Sequence, residues 1–179
     1  MQTKEIGIIL LIALLAVGLI TQGIPYFEIE QPHMFGIADT PQTLNTIGVF
    51  QAIDFNFNLG DAHEFHPQDL NCLVVEKAGH YYATYEAHFQ DLSPAPNANI
   101  GMRISQNGLE ISGSYSEEDT TKQNADITFT TFAYIEADTN DIICMEWTAS
   151  DIDVKLMSDN AFAQQDIVAK GFIQWIYAD

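Results

Sequence analysis

The sequence predicts an all-β sandwich preceded by a single N-terminal apolar helix. Three observations carry that reading. Residues 6–20, IGIILLIALLAVGLI, contain no polar side chain. From Thr46 onward, alternating apolar and polar runs recur between turn signals, with no stretch of helical period. The longest run, Leu73–Phe89, places Tyr81, Ala83, Tyr85, Ala87 and Phe89 on one side and His80, Tyr82, Thr84, Glu86 and His88 on the other. Period two with aromatic residues marks a strand with one face in a core. Its alternation of large and small apolar residues suits two sheets that interdigitate.

Length and charge set the outer bounds. A chain of 179 residues is long enough for one domain with a sizeable core. Six Lys and Arg stand against 25 Asp and Glu, a net charge of −19. Lys4 and Glu5 cancel, so the portion after residue 24 carries the whole excess. Such a body repels a phosphate backbone, which excludes nucleic acid as a partner. It fits solubility, cation binding and a saline or extracellular setting.

The elements then follow in order. A helix over Gly7–Ile24 rises about 27 Å, enough to cross a bilayer core of roughly 30 Å. Ile8, Leu11, Leu14, Leu15 and Leu19 would face lipid. Tyr26 would sit at the far interface, where aromatic residues collect. Lys4 and the amino terminus favour the cytoplasmic side, which leaves the acidic body outside. The reading is therefore a retained membrane anchor over 1–24, with the lipid bilayer as a partner. A cleaved leader is the alternative, because Ala16-Val17-Gly18 offers small residues at a suitable spacing. Lys4-Glu5-Ile6-Gly7 before an apolar helix is also similar to a prepilin processing site.

Residues 25–45 contain Pro25, Pro32 and Pro41 and read as a tether, with helix and central strand both disfavoured. The β domain is placed at 46–179. IGVFQAIDFNFNL puts Ile47, Val49, Ile53, Phe55, Phe57 and Leu59 on one face of a first strand, interrupted only by Gln51. Leu70–Val75 and the long strand through Asp91 follow. Gln106-Asn107-Gly108 between apolar runs signals a hairpin, since both central residues of the favoured turn take positive φ. Ser116–Ala125 reads as a charged loop. Asp126–Glu136, Asp141–Thr148, Ile152–Met157 and Ile167–Tyr177 complete about nine strands.

The last strand, GFIQWIY, is apolar on both sides. Phe172 and Ile176 point one way; Ile173, Trp175 and Tyr177 point the other. A sandwich covers only one face of a strand, so the second set, with Trp175 outward, calls for a partner subunit. Phe172, Ile173, Trp175 and Tyr177, with Tyr82 of the long strand, are the candidate oligomer interface.

These landmarks together resemble the C1q/TNF-like jelly-roll family. The family's apolar residue, gap, Gly and aromatic strand correspond to Val75, Gly79, Tyr81 and Tyr82. Its strand into an Asn-Gly turn corresponds to Met102, Ile104, Asn107 and Gly108. Its Gly-Asp-x-Ile corresponds to Asn140-Asp141-Ile142-Ile143, and its closing strand to Phe172 and Ile176. Asn140 replaces a usual Gly and Gln174 a usual small residue. Over 46–179 the resemblance implies a two-sheet antiparallel jelly-roll sandwich that forms a homotrimer through an aromatic-lined sheet. A membrane anchor before such a head is similar to the cytokine branch.

The remaining constellations are modest. Asp61, His63, Glu64 and His66 share a loop without any zinc spacing. Glu117, Glu118 and Asp119, and the pair Asp138 and Asp141, are hard oxygen groups that calcium would suit; no other cofactor is expected. Cys72 and Cys144 read as buried free thiols; a disulfide, the alternative, requires an oxidising compartment. No catalytic motif is present, and no enzyme activity is expected. His80 and His88 are about 27 Å apart along one strand and cannot share a site within one subunit. At a trimer axis His80, Tyr82, Glu86 and His88 could meet their own copies.

The function these readings support is a membrane-anchored trimeric head, structural or binding, in a virion or cell-envelope assembly. Capsid or envelope proteins, or a cell-surface receptor, are its expected partners. A secreted ligand or adhesion module and a pilin-like filament subunit are the alternatives.

Overall fold

The computed structural model describes residues 33–59, 65–68, 71–157 and 167–178. Every regular element among them is a β-strand. The anchor residues Ile8, Leu11, Leu14, Leu15, Leu19 and Tyr26 lie outside the described residues, as does the 61–64 loop.

In chain order the strands begin with β1 (His33–Ala38), β2 (Gln42–Thr43), β3 (Gln51–Ala52), β4 (Asn56–Leu59) and β5 (Phe65–Gln68). Next come β6 (Cys72–Val75), β7 (Gly79–Asp91), β8 (Asn99–Gln106), β9 (Leu109–Glu110) and β10 (Ser116–Asp119). The last four are β11 (Asp126–Ala137), β12 (Ile142–Ala149), β13 (Val154–Leu156) and β14 (Ala169–Tyr177). They form two antiparallel sheets of seven strands each. The first runs β2-β13-β7-β14-β1-β4, with β11 on the other side of β7. The second runs β10-β8-β12-β6-β5, with β3 beside β12 and β9 beside β8.

The long alternating strand is the centre of the first sheet. Tyr81, Ala83, Tyr85, Ala87 and Phe89 of β7 are each at most 1% exposed. Opposite them lie Ile100, Met102 and Ile104 of β8 and Met145 and Trp147 of β12, all buried. Phe89 and Trp147 meet across the core with ring centroids 5.4 Å apart. Tyr85 braces the two sheets: its hydroxyl donates to the Glu146 carbonyl and lies 3.2 Å from the Arg103 carbonyl. Burial pushes that phenol well above its ordinary pKa.

Glycine and asparagine do the work that the turns demand. Asn107 (φ 54°) and Gly108 (φ 80°) make the expected hairpin turn between β8 and β9. Asn140, at the place of the usual Gly, has φ 75°, and asparagine is among the few residues that adopt that conformation readily.

Several expectations are corrected. Part of the supposed tether is β1, which lies inside the first sheet between β14 and β4. Pro41 lies beyond the end of this strand, and Met34 and Ala38 bury their side chains in the core. The run from Ile47 to Leu59 is not one strand. Its β3 pairs with β12 in the second sheet and its β4 with β1 in the first. Ile53 and Phe55 are buried at the crossing, whereas Ile47 and Val49 are more than half exposed. The supposed loop 116–125 begins with β10, which pairs with β8.

Cys72 and Cys144 form a disulfide, contrary to the favoured free thiols. They stand directly opposite each other on β6 and β12, with Cα atoms 4.5 Å apart. That is the short separation of a non-hydrogen-bonded antiparallel pair.

Candidate functional site

The outer face of the first sheet is built by strand register. Side chains of β7 that point away from the core line up with those of β11, β14 and β1 in rows across the sheet. One row reads Phe35, Phe172, Thr84, Phe132. The next reads His33, Gln174, Tyr82, Tyr134. Four strands at about 4.8 Å spacing make each row roughly 15 Å wide. Tyr82 ties the rows together: its ring is 6.4 Å from Phe132 and 5.3 Å from Tyr134, centroid to centroid. Phe132 is 53% and Tyr134 72% exposed.

Charge rims this aromatic belt. On one side is the row Ile37, Lys170, Glu86, Thr130. Beyond it His88 of β7 stands opposite Thr128. On the other side His80 stacks on Tyr177 at 4.4 Å, and Glu136 faces it from β11. His80, Tyr134, Glu136, Ile176 and Tyr177 line a shallow groove of about 510 Å³. An apolar centre inside a polar rim is the anatomy of a surface that meets another protein.

The candidate interface residues divide. Tyr82, Phe172 and Tyr177 belong to this outer face. Ile173 does not: it is fully buried opposite Ala83 of β7. Trp175 also turns inward, half-buried against the core opposite Tyr81, with the Lys77 ammonium 4.0 Å from its ring centroid. The outward set is therefore the one with Phe172, not the one with Trp175. Tyr177 leaves the inward set because the register with β7 shifts between Trp175 and Tyr177, which brings Tyr177 opposite His80.

Phe35, Phe132 and Tyr134 were missed as members of this face. The signal was present in DITFTTFAYIEA. Its odd positions Ala133, Ile135 and Ala137 go to the core, yet Phe132 and Tyr134 alternate with them. A strand apolar on both faces is what marked β14.

Three of the acidic candidates, Glu117, Asp119 and Asp141, accept hydrogen bonds within the chain. Glu117 accepts from the Tyr115 hydroxyl and the Asn99 amide, and Asn99 also reaches Asp119 at 3.1 Å. The bond from Tyr115 holds Glu117 below the usual carboxylate range, and the same bond pushes Tyr115 up to about 12. Asp141 accepts from Asn107 at 2.7 Å, Gln106 at 2.6 Å and the Asp138 backbone N–H at 2.8 Å. Asp141 is thus a turn fastener between β8 and β12 and takes Asp138 no further toward a cation site. Among the described residues no group of three or more His, Cys, Asp or Glu is placed to hold a metal ion.

Asp141 gives a pH prediction. The Asn107 amide, opposed by partial burial and aided by the Asp138 N–H and Gln106, holds its carboxyl below the usual range. A lowered folded value means that the stabilisation is complete above the unfolded value near 4 and fades as pH falls through the folded one. Asp141→Asn is therefore expected to melt below the parent at pH 6, with the gap closing as pH falls below about 4. A gap that stays constant over that range would contradict the assignment.

No protein-family model matches the chain, and no curated protein does. Solved structures do. The globular domain of the zebrafish complement 1qA protein aligns with a TM-score of 0.51 at 12% identity, covering 84% of this chain and 100% of that domain. Murine APRIL aligns with a TM-score of 0.49 at 13% identity, covering 80% of this chain and 98% of its own. The described strands form a two-sheet, C1q-like jelly roll.

Proposed function

We propose that this C1q-like jelly roll is a self-associating head that acts by binding, held at a membrane by its N-terminal segment. Copies meet through the outer face of β7, β11, β14 and β1, as homotrimers of the kind the family resemblance implies. The head serves a virion or cell-envelope assembly as a structural or receptor-binding subunit, outside the bilayer.

One observation carries the self-association: a belt of Phe35, Phe172, Phe132, Tyr82 and Tyr134 lines the outer face, half-buried at Phe35, Phe172 and Tyr82 and exposed at Phe132 and Tyr134, on a chain of net charge −19. Exposed contiguous aromatic surface of this kind marks an interaction site. Tyr82, Phe172 and Tyr177 are its contact residues, with Phe132 and Tyr134 as the anchors. The anchor rests on the apolar run 6–20. The Cys72–Cys144 disulfide fits a head in an oxidising compartment.

The test is a double substitution, Phe132→Glu with Tyr134→Glu, in the detergent-solubilised full chain. Both side chains are exposed in one copy, so at a concentration where parent and variant are both single chains the melting temperatures should agree within about 2 °C. Association should weaken by about 100-fold or more, the loss typical of paired aromatic anchors. Unchanged association with unchanged folding would remove this face from the account.

A further inference from the structure

We propose that self-association through this face tightens as pH falls from 7.5 to about 5.8, with His88 as the group that takes up the proton; the inference rests on the self-association reading above. His88 stands in the rim of the aromatic belt, and its imidazole has a carboxylate at each ring nitrogen. Glu86 Oε1 is 3.6 Å from Nε2, and Asp126 Oδ2 is 3.9 Å from Nδ1. Thr128 Oγ1 lies 2.7 Å from Nδ1 and holds the ring in place.

Among the described residues, the elements packed against His88 supply the following groups. Its own strand supplies Glu86 and, two residues on, Gln90. β11 supplies Asp126, Thr128 and Thr130. β14 supplies Lys170, whose Nζ is 3.7 Å from the same Glu86 oxygen. β13 supplies Lys155, opposite Gln90. Met157 and Val168, which bond the His88 backbone at 2.9 Å, bring no charge.

Among these groups Glu86 has a lysine within 4 Å, while the ion-pair partner of Asp126 among the described residues is His88. Closing a second copy over a neutral His88 takes Asp126 out of water with no cation beside it, which is costly. A protonated His88 supplies positive charge to both carboxylates. Excluding water also strengthens that attraction, so the closed face binds the proton more tightly than the open one. By linkage, protons then favour closure, and histidine is the side chain that ordinarily titrates in this range. Each proton taken up also lowers repulsion between copies that carry −19 each.

Sedimentation velocity of the detergent-solubilised full chain, at fixed ionic strength and a series of concentrations, tests the inference. The midpoint concentration for assembly should fall at least tenfold between pH 7.5 and 5.8. His88→Gln should remove at least half of that change. Asp126→Asn, which takes away the carboxylate paired with His88, should assemble more tightly than the parent at pH 7.5 and depend less on pH. Thermal melts report folding for each variant, and Asp126→Asn with Glu86→Gln decides the matter where His88→Gln is unstable. Equal assembly at both pH values overturns the proton switch and leaves the self-association reading standing. A single chain at both pH values overturns both.

Discussion

Replacing Cys72 and Cys144 together with alanine lowers the stability of the head by about 4 kcal/mol, the value that chain entropy gives for a closed loop of this size. The two cysteines are 72 residues apart in sequence, so the bridge removes a large part of the unfolded chain's freedom. Few ladder pairs support it locally. β6 meets β12 at Ile142 with Val74, Ile143 with Leu73 and Cys144 with Cys72, and Val75 bonds the backbone of Asn140 and Asp141 just beyond. Without the bridge, β6 and its partner β5 hang on this short ladder and on the burial of Leu73 and Val75. For a chain of this length the loss corresponds to a fall in melting temperature of about 10 °C. Hydrogen exchange should show β6 opening first. A double variant that melts within 2 °C of the parent would mean that the bridge does little for the fold.

Gly79→Ala is the second large effect. Gly79 opens β7 at φ 149°, a conformation that side-chain-bearing residues rarely adopt. A Cβ there would stand 2.6 Å from the Tyr177 carbonyl oxygen and 2.7 Å from the Trp175 indole nitrogen. The first is backbone and cannot rotate away. The added methyl must push β14 off β7 at the point where His80 stacks on Tyr177. Backbone strain and the clash together cost about 3 kcal/mol, shifting the melt by roughly 6–12 °C. Gly171→Ala is the control. Its Cβ would meet the buried Met145 thioether at 2.7 Å and the Phe55 ring at 3.3 Å, side chains that can shift where backbone cannot, and its φ is not positive, so the loss should be smaller. A Gly79→Ala melt no lower than that of Gly171→Ala would contradict this reading of the glycine.

The strand that organises the fold could be read directly from its residues. In β7 the alternation from Tyr81 to Phe89 specifies which side is core, because both the period and the large-small pattern agree. The Asn107-Gly108 turn was equally plain, since its chemistry is local. Other features depend on partners that a single strand does not reveal. Period two divides β14 into two sets but does not say which one faces inward. That is decided by pairing with β7, where Ile173 meets Ala83 and Trp175 meets Tyr81. The same holds for the cysteines, whose spacing carries no information about distance across β6 and β12. β1 escaped notice because flanking prolines masked six residues that suit a sheet well. On the outer face, Phe132 and Tyr134 were visible as the second apolar side of β11, but only register sets them beside Tyr82 and Phe172.

Under the proposed function, other copies of the same chain cover the aromatic belt of the first sheet. Light scattering on the detergent-solubilised full chain, with the detergent contribution subtracted, measures this most directly. The account predicts a protein mass of three chains at micromolar concentration. A mass of one chain, with the head folded and the disulfide intact, would contradict it.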